Sequence, residues 1–319
     1  MKDTSIPVLI RQIRLESSDT VSLDLCPADG TPLPAYAAGA HVDVHLPGGL
    51  VRSYSLVDTP GQLGDYRIAV KREPQSRGGS AWFHQQARVG MPLHLSPPAN
   101  AFGLEASAPA SVFLAGGIGI TPLLSMIGRL NQLGRPWQLH YAARTAGQMA
   151  FEGLVQSLAA AGQGKVHLYF TGEGSGRMDI AAIMAAAPAG AHAYACGPTG
   201  FIDAFLAATR DRPAHTVHYE RFAAAQEAAS QGGFALKLLR DGRTLPVPAG
   251  QSILDVLLDA GLNIDYACTQ GVCGTCKVKV CDGTPDHRDD CLTDEERAGN
   301  ATIIACCSGS HSPVLALDL

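Results

Sequence analysis

The sequence lacks any run of apolar residues long enough to cross a membrane. A membrane-spanning helix needs about 20 consecutive apolar residues, so nothing here indicates a span. The first residues, Met1-Lys2-Asp3-Thr4-Ser5, lead into alternating strand-like residues and not into the apolar segment of a secretion signal. We therefore expect a cytoplasmic protein without a membrane partner.

A strong excess of charge of one sign is also missing. The 319 residues contain 24 Lys and Arg against 29 Asp and Glu, a formal net charge of −5. Nucleic-acid binding usually needs a strongly basic surface, so nucleic acid is not expected as a partner. With 46% hydrophobic residues the chain is of the globular class, and its length predicts two or three domains.

The cysteines suggest a metal cluster and not a disulfide framework, because no secretion signal accompanies them. Cys268, Cys273 and Cys276 are spaced Cys-x4-Cys-x2-Cys, and Cys306 follows downstream, which is the plant-type [2Fe–2S] spacing. Glycines between them let the backbone wrap closely and aim its amides at the sulfurs. The alternative is zinc, but zinc sites normally pair two Cys-x2-Cys knuckles and this motif has one. Spacing alone also leaves Cys307 open as the fourth ligand, but residues 302–307 have the pattern of a strand, which predicts that only one of these two adjacent sulfurs faces the cluster.

The hydrophobic pattern changes along the chain and predicts three domains. Residues 1–104 show short alternating runs between Pro and Gly turns, typical of an antiparallel β-barrel. Residues 105–223 alternate buried runs with helical stretches, which predicts a parallel α/β sheet. Residues 224–233 are small and polar and predict a linker or a helical turn, and residues 234–319 hold the cysteine motif. In that last domain Asp241-Gly242 predicts a hairpin turn, and Ser252 with Asp255 predicts the start of a helix that Gly261 ends.

Two turns in the second domain have the character of a dinucleotide site. Gly116-Gly117-Ile118-Gly119-Ile120-Thr121-Pro122 follows a buried strand and opens a predicted helix, with Thr121 as its N-cap and Pro122 as its first residue. Its glycines allow a pyrophosphate to approach backbone amides. Tyr194-Ala195-Cys196-Gly197-Pro198-Thr199-Gly200 is a second small-residue turn, placed at the same edge of the sheet. The alternative for the first turn is a purely structural role.

The first domain offers two candidate phosphate and ring contacts. Arg52-Ser53-Tyr54-Ser55 combines a cation, an aromatic ring and hydroxyls on an extended segment, and Arg77-Gly78-Gly79-Ser80 sets a second cation beside an amide-rich turn. Arginine suits phosphate geometry, and glycine permits backbone contact. The alternative is an ordinary half-solvated strand.

These motifs, in this order, resemble the phthalate dioxygenase reductase family, which includes vanillate demethylase reductases. The resemblance covers essentially the whole chain, including Asp286-His287-Arg288-Asp289 and residues 314–319. It implies a multidomain protein with an antiparallel β-barrel FMN domain, an α/β parallel-sheet NAD domain and an α+β β-grasp [2Fe–2S] ferredoxin domain. A monomer is the expected state.

The resemblance also implies roles for particular residues. The isoalloxazine and ribityl chain are assigned to the strand at 52–55 and to 69–71, the FMN phosphate to 77–80, and the nicotinamide to the two turns. Phe222 matches an aromatic near the flavin ring, although a core aromatic is the alternative. Ser55, Cys196 and Phe222 are the implied residues at the hydride-transfer site, and Cys306 is the implied fourth cluster ligand. The implied cofactor-binding set is Arg52, Ser53, Tyr54, Ser55, Ala69, Val70, Lys71, Arg77, Gly78, Gly79, Ser80, Gly116, Gly117, Ile118, Gly119, Thr121, Pro122, Cys196, Gly197, Pro198 and Phe222.

The adenosine half of the dinucleotide has its own candidates. Arg144 and Glu173 follow successive predicted strands of the second domain. An acidic Glu173 favours a free ribose hydroxyl over a phosphate, hence NADH over NADPH, although the nearby Arg177 points the other way.

Electron counting completes the sequence-based hypothesis. A hydride carries two electrons and a [2Fe–2S] cluster accepts one at a time, so a flavin intermediary is needed and no acid–base dyad is expected. The resemblance implies that the electrons pass to a separate Rieske-type non-haem iron oxygenase. The alternatives are a reductase using FAD and NADPH, and an Fe–S redox sensor without NADH turnover.

Overall fold

The computed structural model describes residues 5–58, 64–74, 78–173, 176–222, 228–229 and 231–319. Arg77 and residues 224–227 and 230 of the predicted linker lie outside the described residues. The chain divides into two compact units, Met1–Glu220 and Arg221–Leu319. The finer boundary at residue 104 stays a prediction.

The first part of the first unit is an antiparallel sheet that curls on itself. Its strand order is β4-β3-β6-β1-β2-β5, and β4 and β5 at the two edges also approach each other. Alternating apolar side chains fill the interior, among them the fully buried Val8, Ile10 and Ile68. The elements are β1 (Ile6–Ser17), β2 (Thr20–Pro27), β3 (His41–His45), β4 (Val51–Ser55), β5 (Tyr66–Lys71), α1 (Gly79–Gln85) and β6 (Pro92–Leu95). The predicted antiparallel barrel is confirmed.

The second part of the first unit is a five-stranded sheet with the order β11-β10-β7-β8-β9. Strand β7 pairs in parallel with β10 on one side and β8 on the other, so the winding direction reverses between β7 and β10. Open α/β sheets bind ligands outside the strand ends at such a reversal. The elements are β7 (Ser111–Gly116), α2 (Ile120–Gln132), β8 (Trp137–Ala143), α3 (Glu152–Ala160), β9 (Gly164–Phe170), α4 (Ile180–Ala186), β10 (His192–Gly197), α5 (Thr199–Thr209) and β11 (Val217–Arg221).

The start of α2 differs from the sequence-based prediction. Gly117–Gly119 forms a 3-10 turn that runs directly into α2, so Gly119 is the N-cap and Thr121 already lies inside the helix. The Thr121 hydroxyl donates to the carbonyl of Ile118 at 3.0 Å and caps no helical amide. The predicted N-cap at Thr121 and first residue at Pro122 are therefore wrong, because the glycines allow the chain to coil before the threonine is reached.

Several contacts hold the barrel to the parallel sheet within the first unit. The amide of Gly39 donates to the Ser125 hydroxyl of α2 at 3.0 Å, and the amide of Ser18 donates to the Gly147 carbonyl at 2.8 Å. Strand β5 of the barrel lies against the Gly117–Gly119 turn. The barrel edge is thereby fixed beside the reversal point of the parallel sheet.

The second unit is a small α+β domain. A mixed sheet has the order β13-β12-β18-β14-β16, with β12 and β18 parallel, and β15 pairs with β17 beside it. Helix α6 buries Ile253, Leu254 and Leu257 in the core of this unit. The elements are β12 (Phe234–Leu238), β13 (Thr244–Val247), α6 (Ile253–Asp259), β14 (Lys277–Asp282), β15 (Pro285–Asp286), α7 (Asp294–Gly299), β16 (Thr302–Ile304), β17 (Gly309–Ser310) and β18 (Val314–Leu317).

The turn between β12 and β13 and the two ends of α6 are those that the sequence predicts. The turn between β12 and β13 contains Gly242 at φ 80°, as the Asp-Gly pair predicts. Ser252 and Asp255 form a reciprocal capping box at the start of α6, and Gly261 follows its end at φ 80°. Among the described residues, no helix is long and apolar enough to span a membrane.

Candidate functional site

Two small-residue turns pack directly against each other at the carboxyl ends of β7 and β10. A Cβ atom on Gly119 would lie 2.8 Å from the Gly197 nitrogen and closer still to the Cys196 carbonyl oxygen. A Cβ on Gly116 would lie 2.9 Å from Cδ of Pro198. Only hydrogen fits at these positions, so the two turns pack backbone against backbone at the reversal of strand order, the crevice in which such folds bind ligands. The structure thus brings together the two predicted nicotinamide turns.

Cys196 lies at the bottom of this crevice beside an acidic group that the sequence analysis missed. Cys196 is fully buried, and its Sγ lies 4.0 Å from Oε2 of Glu220 on β11. Burial raises the pKa of Glu220 to about 7, and burial together with the Glu220 charge raises the pKa of the Cys196 thiol well above its ordinary value. The sequence signal that could have indicated this acidic group is Glu220 itself, a carboxylate within the strand β11 that lies next to β10.

The predicted flavin segment occupies β4, at the edge of the barrel. Arg52 extends along the start of α1, because a Cβ on Gly79 would lie 2.8 Å from Cγ of Arg52. Ser55 is buried, and Tyr54 packs edge-on against Phe83 with ring centroids 5.3 Å apart. Burial raises the pKa of the Tyr54 hydroxyl, so it stays protonated. Arg52 and Gly79, distant in sequence, are neighbours as the phosphate hypothesis requires.

The other predicted flavin residues either form hydrogen bonds within the barrel or lie on strand β5. The Ser53 hydroxyl donates to Oδ1 of Asp43 at 2.5 Å, so it is already engaged within the barrel. The Ser80 hydroxyl accepts from the Glu73 amide at 3.1 Å, and Gly78 adopts φ 91°. Ala69 and Val70 are buried on β5, with Lys71 half-buried at the strand end. Since β5 touches both β4 and the Gly117–Gly119 turn, the flavin and nicotinamide candidates lie in one region.

The adenosine candidates lie on neighbouring loops after β8 and β9. The amide of Gly172 donates to the Arg144 carbonyl at 2.7 Å, and a Glu173 carboxylate oxygen accepts from the Ala146 amide at 3.0 Å. The side chains of Arg144, Glu173 and Arg177 are all exposed. The fold therefore places both charges at the carboxyl edge of the sheet, beyond the crevice. Phe222 directly follows β11 and is half-buried.

The four predicted cluster ligands meet in the second unit as two pairs. A hydrogen bond from Cys268 lowers the pKa of Cys273 to about 5, and a hydrogen bond with Cys306 raises the pKa of Cys276. Among the described residues, no three His, Cys, Asp or Glu side chains converge on a point suited to one metal ion. Two pairs are the arrangement that a cluster of two irons needs, whereas a single zinc needs four converging ligands.

Hydrogen-bond donors around these sulfurs also fit a [2Fe–2S] cluster. The Gln270 amide donates to Cys268 Sγ at 3.3 Å, and the Thr275 hydroxyl donates to Cys273 Sγ at 3.2 Å. The Gly271 amide points at the Cys306 sulfur. Such donors stabilise thiolate and cluster charge, so the residues present suit the anionic group.

The backbone around the fourth cysteine corrects one expectation. Strand β16 ends at Ile304, and Cys306 and Cys307 both lie in the turn that follows, so strand alternation does not separate their side chains. Both are buried, but the Cys307 thiol points to the Ile304 carbonyl at 3.8 Å and to the Ser308 hydroxyl at 3.8 Å. Cys306 is the one beside Cys276, which supports its assignment as a ligand.

Comparison with known proteins agrees with this geometry. Residues 236–309 match the family described as the 2Fe-2S iron-sulfur cluster binding domain, and residues 113–206 match the oxidoreductase NAD-binding domain. The chain is 49% identical over 318 residues to the phenoxybenzoate dioxygenase subunit beta of Ectopseudomonas oleovorans, covering 99% of this chain and 98% of that protein. It is 43% identical over 317 residues to a vanillate O-demethylase oxidoreductase of a Pseudomonas species, covering 98% and 100%.

A solved structure matches the whole chain as well. Phthalate dioxygenase reductase, described as a modular structure for electron transfer from pyridine nucleotides to [2Fe–2S], superposes with a TM-score of 0.84. Its sequence is 34% identical, and the match covers 100% of this chain and 99% of that one. NADH, FMN and a [2Fe–2S] cluster, the cofactors expected from the sequence, are those of this family. The chain belongs to the phthalate dioxygenase reductase family of flavin iron–sulfur oxidoreductases.

Proposed function

We propose that this protein is the NADH-dependent reductase component of a Rieske-type non-haem iron oxygenase system. The observation that carries the proposal is the contact of β5 with the Gly117–Gly119 turn, which sets the flavin candidates beside the nicotinamide crevice. The named relatives, phenoxybenzoate dioxygenase and vanillate O-demethylase subunits among them, support an oxygenase as the electron acceptor.

The residues of the crevice bind and orient the dinucleotide. Gly116 and Gly119 keep the floor free of side chains, so a nicotinamide ring can lie close to the barrel edge. Cys196 and Ser55 are buried and exclude water from the meeting point of the two rings, and Phe222 completes the proposed hydride-transfer residues. Burial raises the pKa of Glu220 to about 7, so both its protonated and its ionised form are present next to Cys196 at neutral pH.

The flavin and the cluster divide the chemistry between them when bound. Bound at these residues, FMN would supply the link between NADH, which gives two electrons as a hydride, and a [2Fe–2S] cluster, which accepts one electron at a time. The FMN phosphate is proposed to lie at residues 77–80, and Arg52, over Gly79, is proposed to contact the flavin beside it. Cys268, Cys273, Cys276 and Cys306 are the proposed cluster ligands.

Three finer points belong to the proposal. The cosubstrate is NADH and not NADPH, because the exposed Glu173 carboxylate disfavours a ribose phosphate. The protein is a cytoplasmic monomer that meets the oxygenase transiently. The aromatic or other small substrate of the oxygenase never touches this chain.

Anaerobic mixing of the whole protein with NADH tests the proposal. Bleaching of both flavin and cluster absorbance is expected, with NADPH reacting at least tenfold more slowly. Acid extraction of the flavin distinguishes FMN from FAD. A cluster that dithionite reduces but NADH leaves oxidised would contradict the electron route and favour a redox sensor.

A shortened chain tests electron transfer from NADH to the flavin separately from electron transfer through the cluster. Truncation after Ala224 removes the cysteine motif but leaves the crevice and barrel, so NADH-dependent ferricyanide reduction is expected to persist. Support of an oxygenase should disappear. Full oxygenase turnover with the truncated chain would refute the role of the cluster.

A further inference from the structure

A short segment of the second unit ties together the two stretches that carry the cysteines. We call residues 287–292 the bridging segment. The Asp290 amide donates to the Gly271 carbonyl at 2.9 Å, in the loop of the first three cysteines. The Arg288 amide donates to the Ser308 hydroxyl at 3.2 Å, next to the turn of Cys306. Both ligand-bearing stretches are therefore hydrogen-bonded to one six-residue segment.

The bridging segment is held in shape by the side chain of Asp289, which is fully buried. Its Oδ2 accepts from the Leu292 amide at 2.8 Å and from the Cys291 amide at 3.3 Å. Arg297 donates to the Asp289 carbonyl at 2.6 Å, and its guanidinium lies 3.8 Å from Oδ2. Oδ1 has no hydrogen-bond partner among the described residues; His287 Nδ1 lies 3.8 Å away.

A buried carboxylate with one unbonded oxygen is costly, and the hydrogen bonds do not require a charge. An asparagine would offer the Leu292 and Cys291 amides the same acceptor oxygen. The effect of the Asp289 charge therefore depends on the groups that lie next to it. The Cys291 sulfur is 3.7 Å from Oδ2, and a Cβ on Gly274, between two ligand cysteines, would lie 3.7 Å from that sulfur. The Cys291 thiol thus contacts both the carboxylate and the ligand loop.

We propose that Asp289 is a positioning residue that fixes the two ligand-bearing stretches relative to each other and, through its buried negative charge, lowers the reduction potential of the cluster. Reduction adds one electron to an already anionic group, and a neighbouring carboxylate in a poorly screened environment opposes that addition. The proposal rests on the [2Fe–2S] assignment but not on the electron route to an oxygenase.

The charge effect is tested on the whole protein with its cluster, by redox titration with dithionite followed by electron paramagnetic resonance. Asp289→Asn keeps the shape and the acceptor and removes the charge. The ratio of reduced to oxidised cluster at a fixed potential should rise about tenfold, equivalent to about 59 mV for one electron. Asp294→Asn is the matched control, because this aspartate also lies near Arg297 but its side chain is fully exposed, so solvent screens its charge. It should change the ratio less than about twofold.

In a second variant the reduction potential of the cluster should shift in the opposite direction. This test does not require the buried site to accept an asparagine. Arg297→Gln removes the cation beside Asp289 and should make the cluster harder to reduce. If Asp289→Asn fails to take up a cluster, Arg297→Gln decides the charge effect alone. An unchanged or lowered potential in Asp289→Asn, an equal shift in Asp294→Asn, or a raised potential in Arg297→Gln would overturn the proposed charge effect.

The positioning role has a separate readout, the rate at which a chelator removes iron from the oxidised protein. Asp289→Ala loses the acceptor for the Leu292 and Cys291 amides, so its cluster should be lost at least tenfold faster than in the wild type. Asp289→Asn should restore slow loss while keeping the raised potential. Equal rates of iron loss in the alanine variant and the wild type would overturn the positioning role.

Discussion

Replacing Gly119 by alanine should damage NADH use without damaging flavin binding. The added Cβ would lie 2.8 Å from the Gly197 nitrogen and closer still to the Cys196 carbonyl oxygen. Carbon–oxygen contacts in proteins settle near 3.3 Å, so the two turns must separate by about 1 Å. The atoms that resist are backbone atoms of β10, which cannot rotate away as a flexible side chain can.

The magnitude follows from this displacement. Overpacking a tight site costs about 1–3 kcal/mol of stability. A shift of about 1 Å in a positioned group costs up to about a hundredfold in rate. We therefore expect kcat/KM for NADH to fall by about 30- to 100-fold, a change of about 2–3 kcal/mol in transition-state stabilisation. Flavin content should stay normal, because the atoms that the added Cβ meets belong to Cys196 and Gly197 and not to β4 or α1.

The assay is NADH-dependent ferricyanide reduction, with the flavin content measured by absorbance. Gly153→Ala is the control, because that glycine lies in α3 with nothing within 4 Å of an added Cβ. Its kcat/KM should stay within about twofold of the wild type. A Gly119→Ala protein with wild-type kcat/KM and full flavin content would refute the close packing of the two turns and the place of the nicotinamide between them.

Three other predictions concern single side chains. Arg52→Ala should release flavin on dialysis while changing the NADH affinity less, because its charge-assisted contacts should be to the flavin and its phosphate; full retention of flavin would refute that. Cys306→Ser should lose the cluster and Cys307→Ala should keep its visible absorption and resonance signal; the reverse result would exchange the ligand assignment. Glu220 has a pKa raised by burial to about 7 from an ordinary 4.5, so its contribution to stability is full below pH 4.5 and is lost as the pH rises through 7. As the pH rises from 4.5 to 8, the unfolding free energy of Glu220→Gln should therefore increase relative to that of the wild type by up to about 3 kcal/mol. A difference in urea denaturation that does not change with pH would contradict this.

The sequence predicted those features that depend on residues close together in the chain. The Cys-x4-Cys-x2-Cys spacing, the capping box of Ser252 and Asp255 and the Gly242 turn are all local, and each appears where it was expected. The change from alternating to continuous apolar runs likewise predicted the antiparallel and parallel sheets. The spacing of apolar residues along a strand reflects which of its faces are buried, so it can be seen in the sequence alone.

Tertiary structure decided the contacts between residues that are distant in sequence. Glu220 meets Cys196, and Arg52 lies over Gly79, only because separate strands and turns converge. The Cys306 turn and the early start of α2 also differ from the sequence pattern, since the end of a helix or strand depends on what packs against it. The burial of Asp289 between the two ligand stretches has no local signal at all, because an isolated aspartate in a polar segment is ordinarily exposed.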